Sequence, residues 1–438
     1  MRDLNKQVFV TGLALLAMFL GAGNLIFPPM LGLQAGDDLW PTILGFILTG
    51  VGLPLMGVAA VAKADGDLEH LANRVHPLFS KIITVAVILL IGPLLAIPRT
   101  AATTFEVAVN PFWNGYTQIG LLSTTVLFFL ITLFFVLRPT RLLDNIAKIL
   151  TPFLVLFLGI IIVKGVLSPA GQMGPGQFAT PFSQGFLEGY NTMDALASVI
   201  FGLVIVNSIK AKGITDRDLV AKITIGAGVI AAIGLSAIYI GIGYIGATTG
   251  TLYTGDNHGQ MLSFVTATLL GSTGQMVIAV AMTLACLTTS IGLVASCGAY
   301  FSRLTNNRVS YNQVCLLTVL VSASLANLGL AKILEFSVPL LITIYPIIIV
   351  LILLSLFHGL FQGKKSVYVA SISVTTALTG INLIGTWFNV NWIGDTMALL
   401  PLAGQGLEWM LPALIFALFA FFTGTTEPEI QSSMNSAK

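Results

Sequence analysis

The chain reads as a succession of apolar runs, each close to the roughly 20 residues a helix needs to cross a bilayer. About twelve are present, near residues 7–35, 40–63, 80–104, 119–137, 145–166, 182–208, 218–247, 272–302, 311–328, 336–357, 366–387 and 406–423. A chain built this way has few options. Its backbone must satisfy its own hydrogen bonds inside lipid, so the runs are expected as transmembrane helices of an all-α polytopic membrane protein. Composition agrees, with 9% charged residues against the about 25% usual in soluble domains. No long polar linker interrupts the series, so residues 1–438 read as one membrane domain.

Charge sets the orientation. With the N-terminus inside, only Arg99, Lys164 and Lys332 of the 20 Lys and Arg fall toward the outer side. That bias follows the positive-inside rule and is expected to place both termini on the cytoplasmic side, with an even number of spans. The start MRDLNKQ followed by an apolar run resembles a signal peptide, but no small-x-small cleavage site precedes the rest of the run. A retained first helix is expected. Cys286, Cys297 and Cys315 are too scattered for a disulfide framework or metal set. Basic residues are not clustered with aromatics, so no nucleic-acid partner is expected, and no obligate protein partner is evident.

The first run is broken. Residues 11–36 carry Gly21-Ala22-Gly23-Asn24 and then Pro28-Pro29 in the middle of an apolar stretch. Irregular backbone at that depth is tolerated only against protein or a cavity. A plain Gly/Pro kink is one reading. The other is a discontinuous helix whose second half aims free N–H groups at an anion while the first offers carbonyls to a cation.

The sixth run, 181–208, is interrupted in the same way by Glu188-Gly189-Tyr190-Asn191-Thr192-Met193-Asp194. It follows five other spans, so it crosses in the opposite direction. Two broken helices so placed are the trace of a five-plus-five inverted repeat. Residues 1–167 are then the first repeat, 181–357 the second, and 366–423 an appended hairpin.

Asp194 lies about halfway down the sixth span, where a carboxylate is either functional or a buried structural acid. Arg99, near the outer end of the third span, either snorkels or forms an outer gate with Glu188. In the eighth span, Ala285-Cys286-Leu287-Thr288-Thr289-Ser290-Ile291 groups hydroxyls that either bond back to their own helix or, with carbonyls freed in the first span, make an oxygen site for a hard monovalent cation. Three other features carry less. Gly241-x-Gly243-x-x-Gly246 matches a dinucleotide fingerprint without the strand it requires, so helix packing is the better reading. Asp37-Asp38 and Asp216/Asp218 fall on opposite faces and cannot share a metal. The four histidines sit in loops or at helix ends and read as scattered surface residues.

GAGNLIFPP, GYNTMD, TTSIGL and SVPLLITIYP on the first, sixth, eighth and tenth spans resemble the branched-chain amino acid:cation symporters of bacteria, the BrnQ-type carriers. The resemblance covers nearly the whole chain. It implies the five-plus-five fold typified by the bacterial leucine transporter, and sodium-coupled uptake of leucine, isoleucine and valine. Carried over residue by residue, it implies Thr288 and Thr289 hydroxyls with Ala285, Ala17 and Leu20 carbonyls on sodium. It implies Ala22 and Gly23 amides on the substrate carboxylate. Asn24 falls where the leucine transporter coordinates a second sodium, but the asparagine that site takes from the seventh helix is absent from 218–247. Tyr190, Asn191 and Thr192 are placed near substrate, and Phe201 in the side-chain pocket.

No nucleophile–base pair or one-sided acid cluster suggests an enzyme, and paired broken helices argue against an open channel. No cofactor is expected beyond sodium as the coupling ion. The nearest alternative is a proton-coupled amino acid symporter of the same fold, with Asp194 titrating.

Overall fold

A computed structural model describes residues 2–64, 66–138, 141–250 and 252–423. Met1 and the tail 424–438, with Lys438 of the charge count, lie outside the described residues, as do 65, 139, 140 and 251. Among the described residues the structure is helical without strands, with eight helices long and apolar enough to cross a membrane and four shorter apolar ones. Helices cover all the expected spans, with three main differences at their ends. The third span, expected to stop at 104, runs on to Phe112. The tenth begins earlier, at Leu330–Leu356. The eighth belongs to a longer helical run, His258–Leu304, broken where Gly271 takes φ 67°. Residues 258–270 form a separate arm before the span proper.

Both expected breaks are present. The first span is two helices, Arg2–Phe19 and Ala22–Ala35, separated at Leu20–Gly21. The break lies before the prolines. The second helix runs through Pro28 and Pro29, which have no N–H for the carbonyls of Asn24 and Leu25. The sixth span is Pro181–Glu188, a tight turn Gly189–Thr192, and Asp194–Ala211. Met193 links the last two pieces in the left-handed region at φ 62°, a conformation uncommon for a residue with a side chain.

Two packing pairs organise the bundle. The first span lies along the seventh, Arg217–Ala247, and the second, Leu39–Ala64, lies along the sixth. Exchanging first for sixth and second for seventh maps one pair onto the other, as an inverted repeat requires. Small residues allow the approach. A Cβ on Gly246 would overlap the Pro29 carbonyl, and one on Gly32 would overlap the Gly243 carbonyl. The glycine run of the seventh span is therefore a helix-packing face. The equivalent contact has Gly185 against Thr42 and Gly189 against Thr49.

The third span bends at Gly92, ahead of Pro93, before continuing as Ala96–Thr104. This bend sets its second half beside both breaks. The last two spans, Lys365–Phe388 and Met410–Thr423, pack on each other and on the tenth, away from the breaks.

Candidate functional site

The two breaks face one another, and a buried polar network joins them. Asn24 donates its side-chain amide to Asp194 Oδ2 and to the Tyr239 hydroxyl. Tyr239, from the seventh span, donates to the same Oδ2 at 3.2 Å. Asn24 also caps its own half-helix by accepting the Gly21 amide at 3.3 Å, so both ends of its side chain are occupied. Tyr239 had no counterpart in the sequence reading. A tyrosine in an apolar helix is ordinary core until the fold places it beside a carboxylate.

A small chamber of about 60 Å³ lies at the breaks, walled by Ala22, Gly23, Asp194, Arg99, Thr192 and Phe201. It shares Met18, Ile91, Phe201, Thr289 and Leu293 with a larger cavity of about 350 Å³. That cavity in turn shares Ile91, Ile200, Leu293 and Ser296 with a third, which reaches Asp67, Glu69 and Arg303. The path thus opens on the face where the first span begins.

The five groups expected on sodium, Ala17, Leu20, Ala285, Thr288 and Thr289, all line the larger cavity. At the end of Arg2–Phe19 the Leu20 amide bonds the Leu16 carbonyl at 2.9 Å, and the Gly21 amide turns to Phe19 at 2.7 Å. The Ala17 and Leu20 carbonyls are left outside the helix's own ladder, as at any helix end. Thr288 Oγ1 donates back to Leu284 and Ala285 carbonyls at 3.0 Å each. Thr289 Oγ1 instead stands against the break, 3.8 Å from where a Cβ on Gly21 would be. Ser290 turns away and is buried with no hydrogen bond. The donor set is all neutral oxygen, which suits a hard monovalent cation.

On the far face the path is shut. Arg99 does not snorkel. The kinked third span carries it inward, where it is 4% exposed. Its Nη1 donates to the Asn191 carbonyl at 2.6 Å, and its guanidinium lies 5.3 Å from the centre of the Phe27 ring. Glu188 does not pair with Arg99 directly. It accepts from the Asn191 side chain at 2.9 Å and from Gln184 at 3.3 Å, so Asn191 bridges the two. The arm 258–270 completes the closure. His258 packs edge-on to Phe27, and Gln260 donates to Glu106 at 3.0 Å. His258 is therefore no scattered surface histidine; the stretch 258–270, ahead of the span expected from 272, is itself helical and carries it against Phe27.

Of the residues expected near substrate, Ala22, Gly23, Asn24, Thr192 and Phe201 line the chamber. Phe201 meets Phe19 edge-on at 5.3 Å, at the boundary with the larger cavity. Asn191 spends its side chain on Glu188. Tyr190 stacks on Tyr345 at 4.3 Å and packs toward the tenth span.

Residues 4–427 match the family model described as branched-chain amino acid transport protein. The chain belongs to that family. The branched-chain amino acid permease BraB of Bacillus subtilis is 44% identical over 95% of each chain. The branched-chain amino acid transport system 2 carrier protein of Pseudomonas aeruginosa is 42% identical over 94% of this chain and 95% of its own. These are transporters, and the family assignment places this chain among carriers and not enzymes. Among solved structures, the inward-facing conformation of Mhp1 superimposes with a TM-score of 0.65 at 13% identity, covering 95% of this chain and 90% of that one. A sodium-coupled sialic acid symporter in its substrate-bound outward-open state gives 0.59 at 16% identity, covering 94% and 89%. At such identities the likeness concerns the fold alone. The family member described here is thus a branched-chain amino acid transport protein on the five-plus-five fold with broken first and sixth helices.

Proposed function

We propose that the protein takes up leucine, isoleucine and valine with sodium, by alternating access across the bacterial cytoplasmic membrane, both termini lying in the cytoplasm. One observation carries the coupling ion: Ala17, Leu20, Ala285, Thr288 and Thr289 line a single cavity beside the first break. Sodium held there would take the Ala17, Leu20 and Ala285 carbonyls and the Thr288 and Thr289 hydroxyls. Thr288 would exchange its back-bond for the ion, whereas Thr289 is already turned to the break.

The substrate carboxylate meets the free amides of Ala22 and Gly23 at the positive end of Ala22–Ala35. Its aliphatic side chain rests against Phe201. Ion and amino acid then occupy adjoining pockets, and the halves rock about them to expose first one face and then the other. The cluster of Arg99, Asn191, Glu188, Phe27 and His258 closes the far side while the near side is open. One sodium supplies enough driving force. About 2.3 kcal/mol per 100 mV and about 1.4 kcal/mol for a tenfold gradient allow roughly 500-fold accumulation.

Proton coupling is the second reading, favoured by a carboxylate, Asp194, buried beside the chamber. Uptake of labelled leucine into proteoliposomes, with sodium and proton gradients imposed separately, decides between them. Accumulation under the sodium gradient alone is expected. Accumulation under the proton gradient alone would replace sodium by Asp194 titration.

A further inference from the structure

Two opposite charges are buried around the chamber without touching each other. Arg99 and Asp194 are each 4% exposed and share its wall with Ala22 and Gly23. Arg99 gives one N–H to the Asn191 carbonyl and lays its guanidinium near Phe27. Its other terminal nitrogen faces the start of the second half-helix: a Cβ on Gly23 would lie 2.8 Å from Nη2. Asp194 accepts from Asn24 and Tyr239, both on Oδ2 and both neutral. Among the described residues neither charge has an oppositely charged hydrogen-bond partner. Burying single charges is costly, and most of that cost is recovered only when an opposite charge arrives with good geometry. A salt bridge between the two would recover it within the protein. Instead they stand on the wall of one space, at the point where both helices are broken.

We infer that Arg99 and Asp194 are held apart to receive the two ends of a zwitterion, Arg99 the carboxylate and Asp194 the ammonium. This deepens the transport reading above and rests on it. Arg99 adds a planar, bidentate partner to the Ala22 and Gly23 amides, at the same end of the same half-helix. A side chain at position 23 would displace Nη2 from this place. Asp194 holds the ammonium on the sixth-span side, its orientation fixed by Asn24 and Tyr239. The substrate class follows: α-amino acids carrying both charges, with the apolar side chain directed past Phe201. Molecules with only one of the two charges leave a buried charge unmatched and are rejected. The same arrangement gives the Arg99–Asn191 contact a second meaning. The residue that ties off the far side is also the one that senses the carboxylate, so closure there and substrate occupancy share a side chain.

The test is titration calorimetry of the purified full chain at saturating sodium with leucine, leucinamide (no carboxylate) and 4-methylpentanoate (no ammonium). In the unaltered protein both analogues should bind roughly 100-fold more weakly than leucine, as expected when one charge of a buried pair is lost. Arg99→Gln should shrink the leucine–leucinamide gap to under about tenfold and leave the 4-methylpentanoate gap in place. Asp194→Asn should do the reverse. Arg99→Lys and Asp194→Glu, which restore the charges, should each restore the corresponding gap in part. If both gaps stay unchanged in the variants, or shrink together in each, the two residues serve closure or folding and the assignment is wrong. If the unaltered protein binds either analogue as tightly as leucine, the assignment falls without any variant. If it binds no leucine at all, the transport reading itself has failed, and that result is distinct from the others.

Discussion

Thr289→Val is the substitution that most sharply probes the ion pocket. Valine keeps the branched shape of threonine and replaces the hydroxyl by a methyl group. Thr289 is half-buried, lines both the chamber and the larger cavity, and points to the break beside Gly21. Its hydroxyl has no hydrogen bond to its own helix among the described residues, unlike that of Thr288. Its loss should therefore leave the folded structure intact and act on the ion. Leaving a dry polar site short of one partner costs about 1–3 kcal/mol. The half-saturating sodium concentration for leucine uptake should rise roughly 5–150-fold. Leucine affinity at saturating sodium should change much less.

Ser290→Ala is the control. Ser290 lies about 100° further round the helix, and its hydroxyl is buried without a partner. Removing it should leave the sodium curve unchanged, with stability equal or slightly raised. A sodium curve moved by Ser290→Ala and not by Thr289→Val would mean that the register of the eighth-span site is wrong. If neither variant moves it, the hydroxyls serve only their own helix and sodium binds elsewhere.

Other expectations follow from packing, charge and topology. Asp194→Asn should keep sodium-driven accumulation while raising the leucine concentration needed for half-maximal uptake; a variant that still exchanges leucine but no longer concentrates it on a pH gradient would instead point to proton coupling. Gly246→Ala drives a methyl group into the Pro29 carbonyl and should cost about 1–3 kcal/mol, read as a lowered unfolding midpoint in detergent. Gly159→Ala meets nothing within 4 Å and should be neutral or gain up to about 1 kcal/mol; equal midpoints for the two would contradict the close contact of the first and seventh spans. Single cysteines near Arg217 and Lys364 should react with impermeant reagents only from the cytoplasmic side, and those near Asn114 and Asp256 only from outside. Any one of these on the wrong face would undo the inverted arrangement.

The fold was legible because lipid makes the sequence obey simple rules. Length and hydropathy mark the spans, and Gly21–Asn24 and Gly189–Asp194 mark the breaks, since nothing else places so many small and polar residues at mid-membrane. The hydroxyls of the eighth span were visible in the sequence, but which of them faces the first break was not. What the sequence concealed depends on how helices bend and which faces meet. Arg99 looked like a residue at a lipid boundary because the kink at Gly92 cannot be read as a change of direction from composition. His258 looked exposed because 258–270, ahead of the span expected from 272, reads as a loop and not as a helix packed on the first span. Tyr239 and Tyr190 are both tyrosines in apolar surroundings, yet one bonds Asp194 while the other stacks on Tyr345. Only the seating of the seventh span against the first, and of the sixth against the tenth, separates them.

The central claim is that sodium and the amino acid occupy adjoining pockets at the first break and stabilise each other there. Linkage gives it a direct measurement. Leucine affinity should be titrated at several sodium concentrations, and sodium affinity at several leucine concentrations, in purified protein at constant pH. The account predicts that each ligand tightens the other by the same factor, and that changing pH at fixed sodium leaves this factor unaltered. Leucine binding that ignores sodium and strengthens as the pH is lowered would contradict it.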